Sequence, residues 1–351
     1  MATTITIVDV ARLAEVSTST VSNLLNGRDE RMRPATRDRI LNAIDELGYK
    51  PNVAARQLKT GQSSAIGLIV PSVANPFYGI FAQHVEQAAL QRGYQVLLGN
   101  SQRDTDREKA YAEELWGYGV RGMIFGSSLV DFTHLFDLVE RGMNVVAFDR
   151  PAQASDRLAI DSIGVDNVQA ARVVTKHLLA LGHRRIGFLS GPIRSVSRLD
   201  RLQGYRDVLT EAGIAPDERL IWQGPFSNSY GDARAVDRGR QGAQELLSIA
   251  DPPTALFAVN DMYAFGAYAG ARDLGLRIPS DISIVGFDDI ALADVVEPPL
   301  TTIRQPVEGI AQAAVERLVG RLEGAFEAKP NHQTLPAQLI LRGSTARPTS
   351  R

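Results

Sequence analysis

Thr6-Ile7-Val8-Asp9-Val10-Ala11-Arg12-Leu13-Ala14-Glu15-Val16-Ser17-Thr18-Ser19-Thr20-Val21-Ser22-Asn23-Leu24-Leu25-Asn26-Gly27 is the stretch whose reading decides the N-terminal fold. Thr6 with Asp9 three residues later forms the Asp variant of a capping box, which opens a helix. Val10, Ala11, Leu13 and Ala14 give that helix its apolar face. Ser17 caps a second helix running from Thr18 to about Asn26, and Gly27 stops it in the left-handed conformation glycine tolerates. Only Glu15 and Val16 separate the two helices, so they cross steeply, and Val16, Val21 and Leu24 are expected to share a core with Leu13. Pro34 suits the first position of a third helix through Ile40, Ala43, Ile44 and Leu47, ended by Gly48. Three short helices with so brief a first turn describe a helix-turn-helix unit. Its second helix would offer Thr18, Ser19, Ser22 and Asn23 to the major groove, where Thr methyls meet thymine methyls and Asn bonds adenine bidentately.

Working outward, 351 residues with 44% apolar and 22% charged side chains suit a globular chain of two or three domains. The absence of cysteine excludes disulfides and thiolate metal sites. No basic segment followed by an apolar run opens the chain, and apolar runs such as 65–70 and 145–148 have strand length, so a cytoplasmic protein without a membrane span is expected. The net charge of −2 hides a split. Residues 1–60 carry nine basic against seven acidic groups, the rest 29 against 33. Arg28, Arg31, Arg33, Arg37 and Arg39 crowd one short stretch, which with the helix N-termini at Thr6 and Ser17 suits phosphate contacts.

The Thr6–Asn26 stretch resembles the headpiece of the lactose-repressor/galactose-repressor (LacI/GalR) family of bacterial transcriptional regulators. So do Thr36-Arg37, Leu47-Gly48-Tyr49 and Pro51-Asn52-Val53-Ala54-Ala55-Arg56-Gln57-Leu58. The resemblance implies a hinge helix that pairs with its copy in a dimer, close at Ala54 and Ala55, with Leu58 wedged into the minor groove to kink the DNA. Asn26 and Arg56 join the DNA-contacting set on the same ground. Three departures stand out: Glu15 where the turn commonly carries Gly or Asn, Asn23 where some members use Arg or His, and a loop after Gly27 that is one residue longer.

Beyond the polar joint 60–64, strand-length apolar runs alternate with amphipathic helices. Strands are expected at 66–70, 95–99, 123–126, 144–148, 186–190, 255–260 and 284–288. Helices are expected at 79–92, 106–118, 167–181, 199–212 and 262–274. Such alternation predicts doubly wound parallel sheets. Gly117-Tyr118-Gly119-Val120-Arg121-Gly122 spells the dinucleotide fingerprint, yet it follows a helix and precedes a strand, the reverse of what pyrophosphate binding needs. No nucleophile elbow, Walker loop or His-Glu-x-x-His occurs, so no enzyme, cofactor or metal is expected. His84, His134, His177, His183 and His332 are scattered, and His183 at a helix end suits a cation on the helix dipole.

The resemblance continues through Asn75-Pro76-Phe77-Tyr78, Gly182-His183-Arg184-Arg185-Ile186, Val259-Asn260-Asp261, Val285-Gly286-Phe287-Asp288, Leu300-Thr301-Thr302-Ile303 and Arg342-Gly343-Ser344-Thr345. It implies an α/β chain: a helix-turn-helix headpiece (1–50), a hinge helix and linker (51–63), and two doubly wound lobes (64–351) similar to periplasmic sugar-binding proteins. The lobes are expected at about 64–163 with 291–324, and 164–290 with 325–345, the chain crossing near Gly164, Ile290 and Gly324. Effector contacts are expected from Phe77, Asp149, Ser197, Arg201, Phe226, Asn260, Asp288 and Gln305, with Arg201 and Asp288 facing each other across the cleft. Two carboxylates, an arginine, an amide and aromatic walls suit a sugar or polyol, with a nucleobase as the alternative. The expected function is a ligand-responsive repressor, a homodimer or higher oligomer on a near-palindromic double-stranded operator. The alternative is a solute-binding protein without DNA function.

Overall fold

The computed structural model describes residues 5–25, 27–50, 63–151, 153, 156–157, 160–224, 234–326 and 329–349. The expectations placed on Asn26, Ala54, Ala55, Arg56, Leu58 and Phe226 lie outside these residues. The chain divides into two compact units, Met1–Gln62 and Ser63–Arg351.

In the first unit, α1 (Ile7–Leu13), α2 (Thr18–Leu25) and α3 (Pro34–Leu47) close around Val10, Ala11, Ala14, Val21, Ile40 and Ala43. Leu13 does not join them: it is 44% exposed. The inward stripe of α1 is Val10-Ala11-Ala14, and at about 100° per residue Leu13 falls at its edge. The α1–α2 turn is closed by Val16 N–H donating to the Ala11 carbonyl at 3.0 Å, which requires Glu15 to be left-handed, at φ +53°. Gly27 and Gly48 end α2 and α3 with φ +66° and +58°.

The second unit begins with β1 (Ala65–Val70), α4 (Pro76–Gln91), β2 (Gln95–Asn100), α5 (Thr105–Gly117), β3 (Gly122–Phe125), α6 (Phe136–Glu140), β4 (Asn144–Phe148) and β5 (Asp161–Val165). It continues with α7 (Asn167–Ala180), β6 (Ile186–Leu189), α8 (Val196–Glu211), β7 (Ile221–Trp222), α9 (Ala235–Leu247), β8 (Ala255–Ala258), α10 (Asp261–Asp273) and β9 (Ser283–Val285). Last come α11 (Leu292–Val295), β10 (Thr302–Arg304), α12 (Val307–Leu322), β11 (His332–Leu335) and β12 (Gln338–Ile340). One lobe is a parallel sheet in the order β11-β5-β4-β3-β1-β2, the other a parallel sheet in the order β7-β6-β8-β9. Helices cover both faces, so the central strands β3, β5, β6 and β8 are buried throughout, and all but β5 consist of apolar residues and glycine. The Gly117–Gly122 stretch is the expected helix stop, with Gly119 at φ +77° between α5 and β3.

The crossings differ from two of the three expected. The first falls between β5 and α7, at the expected Gly164 region. The second is not at Ile290. Gly286 and Asp288 donate to the Thr301 and Ile303 carbonyls, and the buried Asp261 carboxylate accepts from Ile290 N–H (3.0 Å) and the Thr302 hydroxyl (2.6 Å). These bonds keep 290–304 on the second lobe until Gln305-Pro306. The third is not at Gly324, because α12 packs on α4, β3, β4 and β5, and β11 pairs with β5. Asp161 fixes that return by accepting from Arg317, Arg321 and Asn331 N–H at 2.7–3.1 Å. The chain recrosses only at 336–337, before β12 pairs with β10.

His183 also departs from expectation. Its ring is buried against the Thr254 and Ser283 hydroxyls and the Ala346 carbonyl, at 2.8–3.1 Å. Burial pulls its pKa down, so it is a neutral tie for the C-terminal segment and not a cation on the helix dipole.

Candidate functional site

Two surfaces were expected to carry function, one in each unit. On the first, α2 projects Thr18, Ser19 and Asn23 into solvent while Val21 anchors its other side in the core, with Ser22 half-buried. The Ser17 hydroxyl caps the helix, accepting from Thr20 N–H at 3.1 Å, and lies 2.7 Å from the Ser19 hydroxyl and 2.8 Å from that of Thr20. Thr6 forms the expected capping box with Asp9. Its backbone N–H and its hydroxyl both donate to Asp9, at 3.0 and 2.8 Å, which spends on the capping box the donors a phosphate would use. These same bonds hold the Asp9 carboxyl below the usual carboxylate range. Arg28, Arg31 and Arg33 are exposed on the loop after α2, and Arg37 pairs with Asp29 at 3.0 Å.

In the second unit a small cavity opens between the lobes at the carboxyl ends of both parallel sheets. Phe77, Asp149, Ser197, Arg201, Asn260, Asp288 and Gln305 all line it. Chain tracing explains the convergence: open parallel sheets expose the loops after their strands on one edge, and here two such edges meet.

Arg201, in the second turn of α8, is the hub. Its Nε donates to Asn167 Oδ1 at 2.8 Å and its Nη1 to the Val259 carbonyl at 2.6 Å. Nη2 lies 3.8 Å from Asp149 Oδ2, and the guanidinium stacks 3.5 Å above the Phe287 ring. Asn167 in turn donates to Asp149 Oδ1 at 2.5 Å. Asp149 sits at the end of β4 with φ +55°, pressed so close to Gly164 that a Cβ there would lie 2.8 Å from the Asp149 Cα. Burial raises the Asp149 pKa against the pull of Arg201, and burial lowers that of Arg201 against Asp288 and Asp149. Asp288, at φ +126°, accepts from Gln305 Nε2 at 2.8 Å. Arg201 and Asp288 therefore do not stand on opposite lobes. Both belong to the second lobe, and the carboxylate that meets Arg201 from the first lobe is Asp149.

The lobes touch directly at the rim. Val196 N–H donates to the Ser128 carbonyl at 2.8 Å, Leu129 and Ser195 form an antiparallel bridge, and Ser197 N–H reaches the Ser128 hydroxyl at 3.3 Å. That hydroxyl donates to the Asp149 carbonyl at 2.6 Å. Asn75, Tyr78, Arg103, Ser128, Phe148 and Arg198 also line the cavity and were not anticipated. Arg198 was detectable, since it precedes Arg201 by three residues and so shares its helix face. Arg103 was not, because it reaches the cleft through consecutive left-handed residues, Gln102 and Arg103 at φ +54° and +58°.

Comparison with known proteins matches residues 6–52 to a model described as bacterial regulatory proteins, lacI family, and residues 175–345 to a periplasmic binding protein-like domain. The chain is 34% identical over 341 residues to the HTH-type transcriptional regulator DegA of Bacillus subtilis (strain 168), covering 97% of this chain and 98% of that protein. Among solved structures, the lac repressor dimer bound to operator and the anti-inducer ONPF superposes with TM-score 0.84 at 31% identity, covering 97% and 99% of the two chains. The transcriptional regulator CelR–cellobiose complex gives TM-score 0.72 at 33% identity, with 97% and 99% covered.

Proposed function

The chain belongs to the LacI family of bacterial regulatory proteins, and from that premise we propose that it is a dimeric repressor whose operator affinity is set by a sugar-like ligand in the interlobe cleft. The observation that carries this reading is the pairing, in one chain, of a polar recognition helix with a buried polar cleft. An enzyme would not need the first, and a solute-binding protein would not need it either.

Thr18, Ser19, Ser22 and Asn23 are assigned to base edges, Ser17 and the arginines after Gly27 to phosphates, and Leu58 with Arg56 to the hinge contact in the minor groove. Thr6 contributes mainly as the cap of α1. One headpiece spans only a half-site, so specific binding needs a two-fold dimer on a near-palindrome. The edge strand β2 with Leu97 and Leu98, and Leu90 of α4, leave an exposed apolar margin on the first lobe that suits burial against a second copy. In the cleft, Asp149, Arg201, Asn260, Asp288 and Gln305 would exchange hydrogen bonds with hydroxyls while Phe77 packs on the ring face.

Selection from random double-stranded DNA by the full chain tests the reading. A near-palindromic site should emerge, bound with an affinity that falls steeply with salt. Asn23→Ala should relax base preference at one symmetric pair of positions, by about 1–3 kcal/mol per lost contact. Recovery of no preferred sequence would refute the DNA-binding role.

A further inference from the structure

The rim of the cleft is tied by backbone as well as by side chains. Residues 128–130 of the first lobe lie beside 194–196, which lead into α8 of the second. Val196 N–H donates to the Ser128 carbonyl at 2.8 Å, and Val130 N–H to the Arg194 carbonyl at 3.4 Å. Leu129 and Ser195 form the antiparallel bridge between these two bonds.

One side chain holds the first-lobe half of this ladder. Asp149 lines the cavity, and the next residue, Arg150, reaches away from it into the rim. The Arg150 Nε donates to the Leu129 carbonyl at 2.6 Å and its Nη2 to the Val130 carbonyl at 2.9 Å. Nη1 and Nη2 grip the Asp156 carboxylate bidentately, each at 2.7 Å. The guanidinium is wholly buried, 4.8 Å from the Phe132 ring centroid. A bidentate fork is geometrically exacting, and an ion pair taken out of water holds only while both partners stay. Ser128, left-handed at φ +53°, is pinned as well, its hydroxyl donating to the Asp149 carbonyl at 2.6 Å. Residues 128–130 are thus fixed to 149–150 of their own lobe while they bond to the other.

We propose that 128–130 and 194–196 form a latch between the lobes, and that Arg150 is its positioning residue, setting how readily the cleft opens without touching the ligand. The latch rests on the ligand-gated reading for its consequence, since a ligand would enter and leave only as the latch opens.

Val196 allows a clean test. It is the first residue of α8, so its N–H lies outside the helix's own bonds, and proline suits that position. Ser195 before it is already extended, at φ −118° and ψ 149°, as a residue preceding proline prefers. Val196→Pro therefore removes an interlobe bond and leaves α8 intact. The chain has no cysteine, so spin labels at the exposed positions Lys109→Cys in α5 and Asp237→Cys in α9 report one interlobe distance. Labels at Gln87→Cys and Lys109→Cys give a control distance within the first lobe. Double electron–electron resonance on the full chain, with labelled protomers diluted by unlabelled ones, needs neither ligand nor operator, so its outcome is independent of the proposed function. The wild type should hold mainly the short interlobe distance of the structure. Val196→Pro and Arg150→Gln should each raise the long-distance population roughly two- to tenfold, about what one net hydrogen bond is worth. Arg150→Lys keeps the charge and loses the fork, so it should act in the same direction to a smaller extent, and it covers a failure of Arg150→Gln to fold. The control distance should stay fixed throughout. The proposal falls if the interlobe distribution of Val196→Pro, or of the folded Arg150 variants, matches the wild type, or if the control distance moves as much.

Discussion

Glu15 shows how one residue can satisfy a fold while working against it. Its φ of +53° is set by the α1–α2 turn, a conformation that costs a side chain energy glycine does not pay. Its ion pair with Arg39, 3.6 Å between exposed groups, offers little in return. Glu15→Gly should therefore stabilise the first unit by about 0.5–1 kcal/mol, read as slower hydrogen exchange in α1 and α2. Glu15→Val should destabilise it. Asp200 makes a second residue-scale case. Burial first, then the neighbouring Asp149, push its pKa up to about 6. A carboxyl with a raised folded-state pKa contributes stability that is present below about pH 4 and lost as pH climbs to about 6. Asp200→Asn should flatten that window and add about 1–2 kcal/mol at pH 7, less than the full shift implies because the side chain is partly open to water. Thermal melts from pH 4 to 8 check it, and an unchanged pH profile would mean Asp200 is already relieved in solution.

At the scale of elements, glycines decide how closely helices pack. α9 and α10 cross with their backbones in contact: a Cβ on Gly239 would collide with the Tyr263 carbonyl, and one on Gly266 with that of Val236. Gly266→Val should cost more than about 3 kcal/mol, since backbone on both sides leaves nothing to yield. Gly213→Ala, in open space but at φ +72°, should cost only about 1 kcal/mol. The same crossing explains why α9 escaped the sequence reading. Its two internal glycines, Gly239 and Gly242, weaken helix propensity, and their purpose is visible only once Tyr263 of α10 stands against the first and Leu189 and Trp222 of the sheet against the second. β5 was missed because Asp161-Ser162-Ile163-Gly164-Val165 alternates poorly, and β7 because two residues make no period. α12 carried an amphipathic pattern and was legible, although no helix was assigned there. By contrast, the helices of the first unit and most strands of the two sheets were written in caps, turns and apolar runs, and lie within a few residues of expectation.

For the whole molecule, the cleft was legible because parallel sheets bind at the carboxyl ends of their strands, which singled out Asp149, Asn260 and Asp288. What the sequence did not place was where the chain makes its second and third crossings, which long-range side-chain bonds decide. Placing the second crossing at Ile290 and the third at Gly324 missed the bonds from Asp261 and Asp161 that delay both. Those lobe bounds already set Arg201 and Asp288 on one lobe, and expecting the two to face each other across the cleft was at odds with them. With both on one lobe, the interlobe tie runs Asp149–Asn167–Arg201, joined at the rim by Ser128 and Ser197. A ligand that replaces or strengthens these bonds biases one lobe arrangement over another, and its differential affinity is all that can reach the DNA. Arg201 sits at the centre of that tie. The direct measurement is operator affinity with and without the cleft ligand, for the wild type and for Arg201→Ala. The wild type should change affinity by roughly 5- to 150-fold on adding ligand, the usual span of allosteric coupling. Arg201→Ala should bind operator within about threefold of the unliganded wild type and show no response at all, because the ligand no longer distinguishes the two states. A variant that binds ligand with wild-type affinity and still switches on DNA would contradict the account.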